Sequence, residues 1–216
     1  MSRIPPGRGV PVRSAFSLTR RSVLAALGVA ALGGRAKADD TLPPLSDALT
    51  ELKPPKEPPA FSFQTAGGEK RTLADYRGEG VVLNIWATWC APCRMEMPSL
   101  NRLSELMKDF TISVLPVSVD AKGLSVVKAY YAAHGIESLP ILLDPDGNIG
   151  DAFKIDGIPS SFIIDRSGRL VAECLGAAEW DAPGAVALIR RLTSQGMNPH
   201  ELPITVPIDS RFRLSG

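Results

Sequence analysis

Cys90 and Cys93, in the segment Trp89-Cys90-Ala91-Pro92-Cys93, have the types and spacing in this 216-residue chain that most directly imply chemistry. Two intervening residues allow a disulfide when the second cysteine sits in the first turn of a helix. The first cysteine then lies at the helix N-terminus. Unpaired backbone N–H groups and the helix dipole there favour the thiolate over the thiol, whose free pKa is near ~8.5. Such a thiolate attacks a disulfide of another molecule, and the neighbouring thiol resolves the mixed disulfide. The spacing points to Cys90 as nucleophile and Cys93 as resolving partner, with no cofactor beyond the pair's own redox-active disulfide. The competing reading is half of a zinc site, which needs two more ligands. Cys174, His134 and His200 remain, and none forms a spaced pair, so no metal is expected. A C-x-x-C-H haem attachment is excluded because Arg94 follows Cys93.

Such a pair needs a rigid strand before it and a helix after it. Val81–Ala87 is a short, almost wholly apolar run, the pattern of a central strand buried on both faces. Met95–Phe110 repeats apolar residues at helical spacing (Met97, Leu100, Leu103, Met107, Phe110). Further on, Ile112–Val119 reads as a second buried strand, Leu124–His134 as a helix and Leu139–Leu143 as a third strand closed by the turn Asp144–Gly147. Ser161–Asp165 and Arg169–Leu175 flank a hairpin turn at Arg166-Ser167-Gly168, and Pro183 opens a final helix to about Ser194. Alternation of this kind predicts parallel strands joined by crossover helices, with an antiparallel hairpin at one edge.

The ends of the chain read differently. Residues 1–38 hold seven basic side chains (Arg3, Arg8, Arg13, Arg20, Arg21, Arg35, Lys37) and no acidic one. An apolar run, Val23–Gly34, follows the arginine pair and precedes Ala36-Lys37-Ala38, the order of a secretory signal peptide. At 12 residues the run is short of the roughly 20 a spanning helix needs. Thr19–Leu24 is similar to a twin-arginine export signal, with Val23 for the usual Phe and Ala25 for the usual Lys. The long polar stretch before the pair favours that route over an ordinary secretory signal, and the Ala-x-Ala site favours cleavage over an uncleaved anchor. Six prolines in residues 39–59 suggest a linker or extended arm with a short helical turn at Leu45–Leu52, and 197–216 is a proline-interrupted tail. One domain over 60–196 is left between them.

The whole chain's net charge of +1 gives no footprint for nucleic acid. Removing residues 1–38 takes seven of the 24 basic residues and leaves 17 against 23 acidic, a net charge of −6 on 178 residues. Long-range steering then favours basic partner surfaces.

From roughly residue 60 to 195 the chain resembles the thioredoxin superfamily, and within it the exported TlpA/ResA-like thiol–disulfide reductases. Leu83-Asn84-Ile85-Trp86-Ala87-Thr88-Trp89-Cys90-Ala91-Pro92-Cys93 is similar to that family's active-site strand and helix start. Gly157-Ile158-Pro159-Ser160-Ser161-Phe162 is similar to its second signature. The resemblance implies a thioredoxin-like α/β fold, a mixed central sheet with helices on both faces, and an inserted helix–strand unit at Leu124–His134 and Leu139–Leu143. It implies a cis bond before Pro159, placed beside the disulfide, and a substrate strand pairing with the backbone of Ile158. Trp89, Ala91 and Pro92 belong to the same docking surface, the alternative for Trp89 being a place in the core.

Asn84 stands where cytoplasmic thioredoxins carry a buried acid. Asparagine neither takes nor gives a proton at ordinary pH, so that relay is absent. Glu96 lies three residues after Cys93, on its helix face, and matches the active-site glutamate of the ResA-like group, which implies a proton carrier for the pair. The alternative is a solvated carboxylate that merely favours the helix dipole. Pro98 matches the proline of the equivalent helix, Arg94 reads as an exposed helix residue, and Trp86 as packing. Cys174 reads as a small, partly buried bystander, or else as one half of an intermolecular disulfide.

By resemblance the chain is a periplasmic, monomeric reductant of particular protein disulfides, either the haem-binding cysteines of apocytochrome c or copper-site cysteines. A membrane electron donor of the thiol-transporting type would re-reduce it. The cytochrome branch carries Gly-Val-Tyr-Gly-x-Pro-Glu at its cis proline. This chain has Lys154-Ile155-Asp156-Gly157-Ile158-Pro159-Ser160, which favours a broader reductase. The alternatives are a disulfide oxidant or isomerase, and a Cu(I) carrier that uses the two thiolates without turnover. A lone peroxidatic cysteine does not fit C-x-x-C.

Overall fold

A computed structural model describes residues 41–195. The export signal read in 1–38 and the tail at 197–216 lie outside the described residues. The described chain begins with a one-turn helix, α1 (Leu45–Ala48), and the strands β1 (Leu49–Lys56), β2 (Phe63–Thr65) and β3 (Lys70–Arg71). A 3-10 turn at Leu73–Tyr76 leads to β4 (Gly80–Trp86), α2 (Ala91–Met107), β5 (Ile112–Ser118) and α3 (Leu124–His134). After these come β6 (Leu142–Leu143), α4 (Asn148–Phe153), β7 (Ser160–Ile164), β8 (Leu170–Leu175) and α5 (Pro183–Thr193).

The strands form one mixed sheet in the order β1-β8-β7-β4-β5-β6-β2-β3. At its centre β4 runs parallel to β5, with Leu83 opposite Leu115, and antiparallel to β7, with Leu83 opposite Phe162. All seven β4 residues are buried, as the apolar run predicts. They alternate between two packed layers. Val82 and Trp86 join the layer built with α1, α2, α3 and α5, while Val81, Leu83 and Ile85 face Phe63, Ile149 and Phe162 on the other side. The second layer is closed by α4 and the 3-10 turn, with the Phe153 ring 4.3 Å from that of Phe162. Helices therefore cover both faces of a mixed sheet, the thioredoxin-like architecture expected.

The predicted helix after the cysteines starts four residues earlier than its apolar period suggests, directly at the cysteine pair. Met97, Leu100, Leu103 and Met107 are buried along one stripe, and Pro98 sits inside the helix on its exposed side. The inserted unit is present, with Tyr130 and Tyr131 of α3 packed on Trp86. Its strand, however, is two residues long rather than five. Pro140 has no N–H to contribute to a ladder, and its carbonyl instead accepts the Tyr131 hydroxyl at 3.2 Å. The hairpin falls where predicted. Asp165 Oδ1 closes its turn by accepting from the Arg169 N–H at 2.9 Å, and Gly168 supplies the positive φ of 85°.

The proline-rich segment 39–59 is not a linker throughout. Its residues Leu49–Lys56 are strand β1, paired antiparallel with β8, and the helical turn read at Leu45–Leu52 stops at Ala48. Prolines argue against strands because they lack a donor, but an edge strand needs donors on one side only. The pairing is interrupted between Glu51 and Lys56, where Pro54 and Pro55 sit. Glu51 is further tied to Arg191 of α5. No helix among the described residues is long and apolar enough to cross a membrane.

Candidate active site

Cys90 and Cys93 are joined in a disulfide with Cα atoms 5.3 Å apart. Cys90 is the N-cap of α2, extended at φ −81° and ψ 108°, and its Sγ accepts the Cys93 N–H at 3.2 Å. Pro92 stands in the first turn, where its missing donor costs nothing. The sulfur of Cys90 thus occupies the place where helix N–H groups and dipole stabilise a negative charge. Cys90 is 5% exposed and Cys93 fully buried, so an incoming disulfide meets Cys90 first. Ala91 and Pro92 are exposed beside it, and Trp89 is 68% exposed, which rules out the core reading for this ring. Trp86 is packed in the core, as its sequence context suggests.

The second signature comes to the same place. The Ile158–Pro159 bond is cis, and the carbonyl oxygen of Ile158 lies 3.6 Å from Cys90 Sγ. A groove of about 430 Å³ continues from it, lined by Phe153, Ile155, Ile158, Pro159, Phe162 and Leu175 among others. A larger groove of about 530 Å³, around Thr65, Arg71 and Tyr76, shares no residue with the disulfide or the proline loop.

Glu96 is not solvated. It is 0% exposed, one turn after Cys93. Its Oε1 accepts from Asn84 Nδ2 at 2.8 Å, and its Oε2 accepts from Trp180 Nε1 at 2.9 Å and the Ala178 N–H at 3.1 Å. Burial pushes the carboxyl up to about 7, against the pull of the Trp180, Asn84 and Ala178 donors on the charged form. A group that ionises near neutrality is suited to moving protons at working pH. Cys174 is buried, its thiol pushed up to about 12 by burial and then by the charge of Glu96. As a thiol held neutral and out of solvent, it fits the bystander reading better than an intermolecular bond.

Three supporting residues escaped the sequence reading. Trp180 was legible only as the approach to the last helix, because nothing in its spacing marks a contact 84 residues away. Ser161 lies directly opposite Asn84 on the neighbouring strand β7, its Oγ accepting from Nδ2 at 2.8 Å. Asp120, just past β5, accepts from the Thr88 N–H at 2.8 Å, the Thr88 hydroxyl at 2.7 Å and the Ser118 hydroxyl at 2.8 Å. It clasps the loop that presents Trp89 and Cys90. A carboxylate directly after a strand that is parallel to the active-site strand was the available signal. Asp120→Ala strands these donors and is expected to cost about 2 kcal/mol of unfolding free energy. Urea denaturation of the oxidised protein measures it, and a loss under about 0.5 kcal/mol would show that the clasp does not hold the loop.

Fold and disulfide together place the chain among the thioredoxin-like redox proteins. It belongs to the AhpC/TSA family, which residues 55–173, more than half of its length, match. Thiol-disulfide oxidoreductase ResA of Geobacillus kaustophilus is 37% identical over 112 residues, 52% of this chain and 63% of that protein. ResA of Bacillus thuringiensis subsp. konkukian is 33% identical over 121 residues, 56% of this chain and 69% of that protein. The chain thus spans a little under two thirds of the first relative's length and a little over two thirds of the second's. In structure it is similar to the pneumococcal exposed lipoprotein thioredoxin Etrx1 of Streptococcus pneumoniae, with a TM-score of 0.52 and 28% identity over 62% of this chain and 99% of that one.

Proposed function

We propose that this chain is an exported thiol–disulfide oxidoreductase that reduces particular protein disulfides through Cys90 and Cys93. The observation that carries the reading is the placement of the two sulfurs, one reachable at a helix N-terminus and the other buried behind it. In the reduced protein the Cys90 thiolate attacks one sulfur of a substrate disulfide, and the other substrate sulfur leaves as a thiolate. Cys93 loses its proton and attacks Cys90 Sγ, expelling the second substrate thiolate. Both substrate sulfurs take up protons, and the pair is left as the Cys90–Cys93 disulfide. Glu96, a carboxyl on the face of Cys93 that ionises near neutrality, is the group suited to accept the Cys93 proton.

Docking is assigned to the exposed Trp89, Ala91 and Pro92 together with Ile158 and Pro159, whose groove, apolar but bordered by Lys154, Asp156 and Glu173, suits an extended segment around the substrate cysteine. The reductant direction is supported by the burial of Cys93 on the helix face of Glu96. A negative charge there opposes a second thiolate, whereas strong oxidants owe their potential to a stabilised reduced form. Export is supported by residues 1–38 and by the exposed relative. On this reading the protein is a periplasmic monomer whose substrates are haem-binding cysteines of apocytochrome c or copper-site cysteines. A membrane thiol-transporting donor returns the electrons, and no metal or other cofactor takes part.

Equilibrating the Cys90/Cys93 pair with a thiol buffer tests the direction. A reduction potential well below ~−180 mV is expected, and a value near ~−120 mV would make the protein an oxidant. Cu(I) retained through purification, with little disulfide exchange, would make it a copper carrier instead.

A further inference from the structure

The partners that the structure gives Glu96 are all donors. The Trp180 indole N–H, the Ala178 backbone N–H and Asn84 Nδ2 suit a carboxylate. A carboxylic acid carries an O–H of its own, and in this cradle that hydrogen meets an N–H unless some partner turns an acceptor toward it. Two of the three partners are fixed. The Ala178 N–H belongs to the backbone, and Trp180 is fully buried in the core with its indole packed in place. Asn84 differs, because its amide carries a donor and an acceptor that exchange places by a half-turn.

The surroundings of Asn84 allow that half-turn. Nδ2 donates to Glu96 Oε1 and to Ser161 Oγ, both at 2.8 Å, while Oδ1 is buried without a hydrogen-bond partner. Turning the amide brings Oδ1, with two lone pairs, to face the same two groups. Ser161 then donates instead of accepting, as a hydroxyl can by rotating about its C–O bond. Each arrangement leaves one buried amide group unpaired, the oxygen before the half-turn and the NH₂ after it.

We propose that Asn84 is a two-state positioning residue: its Nδ2 holds the Glu96 carboxylate, and after a half-turn its Oδ1 accepts the hydrogen of the Glu96 carboxylic acid. This rests on the reading of Glu96 as proton carrier and deepens it. The row Glu96–Asn84–Ser161 stays hydrogen-bonded in both protonation states, so a proton comes and goes without leaving a buried donor facing a donor. A fixed donor at position 84 would serve the anion alone.

The titratable groups brought toward Glu96 are few. Cys93 lies one turn earlier on α2. Cys174 of β8, opposite Ser161 in the hairpin register, is held as a thiol. β4 and β7 bring Asn84 and Ser161, and the segment before α5 brings Ala178 and Trp180, none of which titrates.

The test follows the Glu96 carboxyl carbon and the Asn84 side-chain NH₂ by NMR in the oxidised full chain, from well below to well above pH 7. Both signals are expected to titrate with one midpoint, and the Asn84 signals are expected to be flat in Glu96→Gln. Asn84→Leu removes donor and acceptor alike and should move the Glu96 midpoint by less than about half a unit. Trp180→Phe removes a donor that bonds the carboxylate more strongly than the acid's carbonyl oxygen and should raise it by about one unit or more. Asn84 signals that ignore the Glu96 titration, or an Asn84→Leu shift as large as that of Trp180→Phe, would overturn the proposal. If Asn84→Leu does not fold, the spectra of the wild type and Glu96→Gln decide. The carrier role fails separately, when Glu96→Gln leaves the pH profile of disulfide exchange unchanged although Asn84 still follows Glu96.

Discussion

Replacing Cys90 by alanine is expected to lower disulfide-exchange activity on the order of 10³-fold or more, the scale on which removal of a covalent nucleophile acts. The loss is this large because the remaining thiol has neither access nor activation. Cys93 is fully buried, whereas the Cys90 sulfur sits at the α2 N-terminus and accepts a backbone N–H. Cys93→Ala should behave differently. The first attack still occurs, but no thiol is left to expel the substrate, so a mixed disulfide through Cys90 accumulates. Reduction of a disulfide-bonded test protein gives the rates, and non-reducing electrophoresis shows the trapped species. Trapping by Cys90→Ala instead of Cys93→Ala would reverse the roles assigned to the two sulfurs.

The second large effect is on stability. The folded-state pKa of Glu96 is raised from 4.5 to about 7 by burial. Between those values the folded protein holds a proton on Glu96 that the unfolded chain has released, so unfolding becomes easier as pH rises. A shift of this size corresponds to about 3 kcal/mol. That contribution is fully present below about pH 4.5 and is lost by the time pH has passed about 7. The carboxylates of half-buried Glu51 and exposed Glu105, lowered chiefly by Arg191 and Lys108 respectively, act in the opposite direction at acid pH. The comparison with Glu96→Gln removes them, since they are common to both proteins. The difference in unfolding free energy between wild type and variant should change by about 3 kcal/mol from pH 4.5 to pH 8, in favour of the variant as pH rises. A difference that stays flat with pH would show that Glu96 ionises in the fold as it does in water.

Reading the chain without its structure works where local rules and chemistry coincide. Val81–Ala87 reads as a buried central strand because it is nearly unbroken in its apolar residues and too short for a typical helix, and β4 forms there. Cys90 and Cys93 meet at a helix start, as the two residues between them permit and the strand before them suggests. Where a rule is local but its context is not, the reading failed. Pro54 and Pro55 argue against a strand, yet β1 forms, since an edge strand does not need the missing donors. Helix α4 and strands β2 and β3 are too short to carry a recognisable period.

The order of elements, the reactive pair and the helix face that Glu96 shares with Cys93 are thus properties of the sequence itself, because each depends on residues within a turn or two of one another. The state of Glu96 is not. Whether that side chain is a solvated carboxylate or a buried acid that ionises near neutrality depends on Asn84, Ala178 and Trp180, which lie 12, 82 and 84 residues away and meet it only when the sheet and helices close. Desolvation and hydrogen bonding act over a few ångströms in space. No local pattern in the chain records them, so the tertiary structure alone decides the charge beneath the disulfide.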